Sequence, residues 1–153
     1  MKNICVDSCF LIALYDNKDN NNKLSISIYE NIFERNSENI LIIPWPILYE
    51  TISTRMVRQK KRIESINTHW KTLKTKNRLE LINDSEYRKD ALDSCFNETS
   101  RGGNYRALSL TDRVIRIILE DKKIDGFVSF NEGDFSDVCK RKKIQLISNL
   151  DCL

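Results

Sequence analysis

The chain has 153 residues, 41% of them hydrophobic, with a net charge of +3. That length supports one buried core and excludes two domains of ordinary size, so residues 1–153 are expected to form a single domain. No run approaches the roughly 18 apolar residues of a membrane span, and Asp7 cuts the N-terminal apolar run short, so neither an anchor nor a signal peptide is expected and the cytoplasm is the expected compartment.

Residues 3–6, Asn-Ile-Cys-Val, read as a short apolar strand and 8–15 as a helix, followed by an Asn- and Asp-rich loop over 16–23. Helical spacing resumes at Leu24, Ile28, Ile32 and Phe33. Residues 40–43 are a continuous Ile and Leu run, as in a parallel strand covered on both faces, which stops at Pro44. Pro46 suits the first turn of the next helix. That helix carries Leu48, Ile52 and Met56 on one face with Glu50 off it, and a second helix through Ile63, Ile66, Trp70 and Leu73 is expected to pair with it as an αα-hairpin. Residues 79–82 form a further strand candidate. Asp84 or Ser85 is placed to cap a helix whose Tyr87, Ala91, Leu92, Cys95 and Phe96 make an apolar stripe, and Arg101-Gly-Gly-Asn104 marks a loop. A helix over 110–121 buries Val114, Ile117 and Ile118, and Gly126 precedes a strand over 127–130. A loop holding Gly133 and Asp134 then leads to a short helix from Phe135 and a last strand over 144–147. Strands alternating with helices predict an α/β fold, a three-layer α/β/α sandwich around a central, mainly parallel sheet of four to five strands.

Cys5, Cys9, Cys95, Cys139 and Cys152 are odd in number and form no CxxC pair. Cys5, Cys9 and Cys95 fall on apolar faces, so reduced, buried thiols are expected instead of bridges or zinc ligands. Basic residues bunch over 55–62, 71–78 and 140–143, a distribution compatible with a polyanion, although each bunch alone also describes a solvated helix face. The lone His69 lies beside Trp70, far along the chain from any acid of interest, and reads as structural.

Four acids stand where α/β proteins place chemistry. Asp7 follows the first strand at the carboxyl edge of the sheet, although capping the next helix explains it equally well. Glu50 sits just past the first turn after Pro46, where a solvent-facing glutamate is ordinary. Asp112 completes a capping-box-like Ser109-Leu-Thr-Asp, and Asp134 is placed to cap the helix from Phe135. Each has a sufficient structural explanation on its own.

Taken together, the four motifs resemble the PIN domain family of metal-dependent ribonucleases, in particular the VapC-like toxins of toxin–antitoxin pairs. Val6-Asp-Ser-Cys-Phe-Leu-Ile-Ala-Leu is similar to the family's opening strand and helix, Tyr49-Glu-Thr to its second acidic motif, Leu108-Ser-Leu-Thr-Asp-Arg to its third, and Ser129-Phe-Asn-Glu-Gly-Asp-Phe to its last. The fourth motif departs from the commoner form, which has aspartate where this chain has Asn131, so both Asn131 and Asp134 are candidates for that position. The resemblance implies a PIN-like fold and hydrolysis of RNA phosphodiester bonds. It also implies Mg²⁺ or Mn²⁺ held by Asp7, Asp112 and Asp134, directly or through water, with Glu50 positioning or deprotonating the attacking water. Ser8, Ser129 and Asn131 are the groups expected to orient these carboxylates by hydrogen bonding. The basic bunches would contact phosphates, and Trp45, Tyr49 and Tyr105 are possible base platforms, although core packing is the commoner fate of such rings. Kinship further implies a homodimer and an antitoxin that inserts a basic residue into the acidic pocket.

Two other classes compete. A phosphoacceptor domain also places an aspartate after its first strand, but the haloacid-dehalogenase form needs a second acid where this chain has Cys9, and the acidic pair and late lysine of a receiver are not evident. A catalytically inactive PIN-like module that only binds RNA or protein is kept open by Asn131.

Overall fold

The computed structural model describes residues 1–100 and 107–153. The loop expected at 101–104, and Tyr105, lie outside the described residues. Five strands, β1 (Asn3–Val6), β2 (Ile40–Pro44), β3 (Leu79–Ile82), β4 (Gly126–Val128) and β5 (Gln145–Ile147), form one sheet in the order β3-β2-β1-β4-β5. Every pairing is parallel. Among the described residues the α-helices are α1 (Ser8–Tyr15), α2 (Asn22–Tyr29), α3 (Trp45–Thr51), α4 (Thr54–Val57), α5 (Lys60–Thr75), α6 (Arg88–Ser100), α7 (Leu110–Asp121) and α8 (Glu132–Lys142). A π-helical turn, Glu30–Glu34, extends α2, and a 3-10 turn, Leu150–Cys152, ends the chain.

The strand order explains the layers. From β1 the chain steps outward to β2 and β3, then returns past β1 to β4 and β5. Right-handed crossovers then put α1 to α5 on one face of the sheet and α6 to α8 on the other. Most helix contacts follow that division, with α1 against α2 and α3, and α7 between α6 and α8, while α3 and α7 meet across it. The α/β/α sandwich and parallel sheet are as expected. Strands covered on both faces must be apolar throughout, and Cys5, Val6, Leu41, Ile43, Phe127 and Val128 are almost wholly buried. Phe127 meets Phe135 of α8 edge to face, with ring centroids 4.8 Å apart. Among the described residues no helix is long and apolar enough to cross a membrane.

Several local expectations are corrected. The helix from Pro46 does not reach Met56: it stops at Ile52, whose φ of −89° and ψ of 48° leave the helical region, and restarts at α4. Thr51, Ile52 and Thr54 are β-branched, which weakens helix propensity where Ser53 turns extended. The expected hairpin is therefore broken, and α5 instead ties His69 and Trp70 to α1 and α2. His69 Nδ1 pairs with the Tyr15 hydroxyl at 2.8 Å and its Nε2 with the Tyr29 hydroxyl at 2.5 Å, while Trp70 Nε1 donates to Tyr15 at 2.8 Å. His69 is thus structural, as read. The fourth strand runs Gly126–Val128 and not over 127–130, and the buried Ser129 follows it. The helix expected from Phe135 starts at Glu132 with Asn131 as its N-cap residue, so Asp134 occupies the first turn and does not cap. Of the expected stripe, Tyr87 just before α6 and Ala91 within it are buried, but Leu92 and Phe96 face solvent.

Candidate active site

In a doubly wound sheet the crevice opens at the carboxyl ends of the strands where the winding reverses. Here that place lies between β1 and β4. The register sets Val6 beside Val128, and the Asp7 N–H donates to the Val128 carbonyl at 2.9 Å. Asp7 and Ser129, each the first residue after its strand, are therefore neighbours by construction.

Asp7 is 3% exposed, and both its carboxylate oxygens accept hydrogen bonds. Its Oδ1 accepts from the Ser8 N–H at 2.7 Å, so it does cap α1. Its Oδ2 accepts from the Ser129 hydroxyl at 2.7 Å and from the Cys9 thiol at 3.3 Å. Burial raises the proton affinity of Asp7 above that of an ordinary carboxylate; the three donors oppose this, and the negative charge of Asp112 adds to it. Capping and placement at the crevice thus hold together.

Ser8 divides its two donors between two acids. Its N–H goes to Asp7, and its hydroxyl donates to Glu50 Oε2 at 2.5 Å. Glu50 is exposed on α3. Asp112, half-buried in the first turn of α7, closes a capping box: Ser109 Oγ donates to Asp112 Oδ2 at 2.7 Å and accepts from the Asp112 N–H at 3.0 Å. Asp134 is half-buried in the first turn of α8, where its N–H meets the Asn131 carbonyl and its own carbonyl receives Arg116 at 2.6 Å. Arg116 also forks onto Asp137, pinning this turn to α7. The Asn131 N–H donates to Ser129 Oγ at 3.0 Å, which ties the start of α8 to the hydroxyl that holds Asp7.

Among the described residues, no three His, Cys, Asp or Glu side chains group closely enough to hold a metal ion between them. Asp7 and Asp112 come within electrostatic reach, and Glu50 joins through Ser8. Asp134 is not drawn into a three-carboxylate cage with them.

Sequence reasoning missed two features. Cys9, expected as a small buried hydrophobe, is a donor to Asp7. Burial first, then the charge of Asp7, pushes its thiol up to about 12, so it stays protonated and able to donate. Beside Glu50 opens a cleft of about 370 Å³ lined by Pro46, Tyr49, Asp84, Arg88, Leu110 and Thr111. Arg88 forks onto Asp84 through Nε (2.9 Å) and Nη2 (2.8 Å), and these bonds hold the buried Asp84 carboxyl below the usual range. The i,i+4 spacing of Asp84 and Arg88 was a signal of this pair. Two of the three basic bunches lie away from the acids. Residues 71–78 and 140–143 directly precede β3 and β5, so they lie at the amino edge of a parallel sheet, opposite Asp7. Arg55 and Arg62 are engaged by Asp16.

The solved structure of Mycobacterium tuberculosis VapC20, described as a sarcin-ricin loop cleaving toxin, superposes with a TM-score of 0.60 over 88% of this chain and 94% of that one, at 14% identity. The chain has a PIN-domain fold. No protein-family model and no curated protein matches the chain. At this identity the PIN likeness is one of architecture, and it agrees with the order in which β1, β2, α7 and β4 present the four acidic motifs.

Proposed function

We propose that the protein is a metal-dependent endoribonuclease that hydrolyses RNA phosphodiester bonds in the cytoplasm, acting as the toxin of a toxin–antitoxin pair. The observation that carries this reading is the buried Asp7 carboxylate, kept at the switch point of the sheet within the field of Asp112. Two carboxylates about 4 Å apart repel by about 4 kcal/mol at an effective dielectric near 20, a cost that a divalent cation removes. The donor set suits Mg²⁺ or Mn²⁺, because such ions take one or two carboxylates and otherwise keep water. Asp7 offers the lone pairs that Ser8, Cys9 and Ser129 leave open, and Asp112 offers Oδ1, which takes no hydrogen bond among the described residues. Asp134 acts through water. When bound, the ion supplies Lewis acidity toward the phosphate and lowers the pKa of a water.

The chain's own groups do the rest. Glu50 positions or deprotonates the attacking water, and Ser8 aims its carboxylate. Ser129 and Cys9 favour the ionised form of Asp7 against the effect of burial and hold it in place, and Asn131 ties Ser129 to α8. A second copy and a basic antitoxin side chain directed at the acids complete the reading, on the strength of the motif resemblance. A PIN-like module that binds without cutting is the second reading, favoured by the lack of a three-acid group among the described residues. Single-turnover cleavage of total RNA with and without Mn²⁺, with mapping of the cut ends, separates the two. Manganese-dependent cuts that vanish in Asp7→Asn are expected; undiminished cutting by Asp7→Asn refutes the assigned site.

A further inference from the structure

One turn from the acids, α3 leaves two large rings in solvent. Trp45 is 40% and Tyr49 66% exposed, and their centroids lie 5.9 Å apart at an interplanar angle of 43°. The opposite side of the same helix is buried through Ile47, Leu48 and Thr51, so the rings are not displaced core residues. Tyr49 also walls the cleft beside Glu50, whose volume of about 370 Å³ lies in the range of sites that enclose small ligands.

Across that cleft stands Arg88. Its fork onto Asp84 uses Nε and Nη2, fixes the plane of the guanidinium and neutralises the buried Asp84. Among the described residues its Nη1 hydrogens have no acceptor. The Tyr49 ring, a planar cation and the Glu50 wall therefore meet in one cleft, and Trp45 extends the aromatic surface from Tyr49 at the cleft's rim. A base has a π-face that such rings accept, and a phosphate matches the free edge of an arginine.

We propose that this cleft is a nucleotide subsite: it takes one unpaired nucleotide of the substrate RNA, with the base stacked on Tyr49 and Trp45 and a flanking phosphate on Arg88. This rests on the ribonuclease reading, since it is the Glu50 wall that sets the nucleotide next to the bond being cut. A base can reach the rings only when it is splayed out of a helix. The substrate is therefore a single strand or a loop, and paired RNA is excluded.

The test uses the full chain. A ten-nucleotide RNA carrying 2-aminopurine is titrated onto Asp7→Asn protein as a single strand and as a duplex, and cutting is followed on the wild-type background. Trp45→Ala and Tyr49→Ala are each expected to weaken single-strand binding about five- to 100-fold and to raise KM, with an unchanged melting temperature and sedimentation mass. Trp45→Phe and Tyr49→Phe keep a stacking face and should bind like the parent. The double variant Asp84→Asn, Arg88→Gln, which removes both ends of the pair, should flatten the slope of log K against log salt by about 0.7. Wild-type cutting with Trp45→Ala and Tyr49→Ala unaffected overturns the subsite and leaves the nuclease reading intact. A wild-type protein that neither binds nor cuts RNA refutes the nuclease reading itself. Equal affinity for duplex and single strand, or alanine variants that change the sedimentation mass while RNA affinity holds, also overturns the subsite; the latter result would make the rings a seam between two copies.

Discussion

Replacing Ser129 by Ala removes one fully buried hydroxyl that joins β1, β4 and α8. The hydroxyl donates to Asp7 Oδ2 at 2.7 Å and accepts from the Asn131 N–H at 3.0 Å. A hydrogen bond to a charged group contributes about 1.5–3 kcal/mol. Asp7 keeps its bonds from Ser8 and Cys9, and the exposed Asn131 lets water replace its lost acceptor, so the loss should fall at the low end, about 1.5–2 kcal/mol. For a chain of this size that lowers Tm by about 3–8 °C. The effect depends on pH, because the bond favours the ionised carboxylate. Asp7 holds its proton more tightly folded than unfolded, so its ionisation cost is absent below the ordinary aspartate value of 3.8 and complete only above its folded value. Without Ser129 that window extends upward. Metal-free calorimetric melting should therefore show a larger gap between variant and wild type at pH 8 than at pH 5, and the acid limb of the cleavage profile should move to higher pH. Equal melting temperatures at pH 8, or an unmoved acid limb, would refute the role given to Ser129.

Two further expectations concern the frame around the site. Burial holds the proton affinity of His69 below the ordinary imidazole value of 6.5, so the unfolded chain protonates first; wild-type stability should fall as pH drops through 6.5 toward the folded value, and thermal melts of His69→Gln should be flatter over that window. The buried Thr51 hydroxyl has no hydrogen-bond partner among the described residues, so Thr51→Val, which keeps the shape and removes the unpaired oxygen, should raise Tm by about 2–4 °C, and a fall would contradict this reading.

The sheet and its helices were legible because parallel strands covered on both faces must be apolar runs, and those runs stop at polar residues that also cap helices. Asp7 shows why the two explanations of such a residue need not compete: it caps α1 and still lies at the switch point. The bounds of β1, α1 and α7 followed from such stops. The break at Ile52 was missed because apolar spacing continued through a β-branched stretch that could not stay helical. Cys9 was misjudged because an apolar face says nothing of a thiol that turns back toward a carboxylate two residues earlier. The edge at which the basic bunches lie was not legible, since charge density along a chain does not say where the fold will put it; residues 71–78 and 140–143 fall at the edge opposite Asp7. The Asp84 and Arg88 wall was out of reach for a related reason: only the fold brings the start of α6 beside Glu50.

Manganese binding by the wild-type protein, Asp7→Asn and Asp112→Asn, followed by calorimetric titration and by melting, tests the carboxylate pair most directly. At a hundredfold excess over Kd, binding to the folded state adds about 2.7 kcal/mol, a rise of about 5–11 °C for a chain of this size. The wild type should show that rise, and each variant should lose it while staying folded. Asp7→Asn protein that takes up manganese as tightly as the wild type would contradict a metal centre at this edge of the sheet.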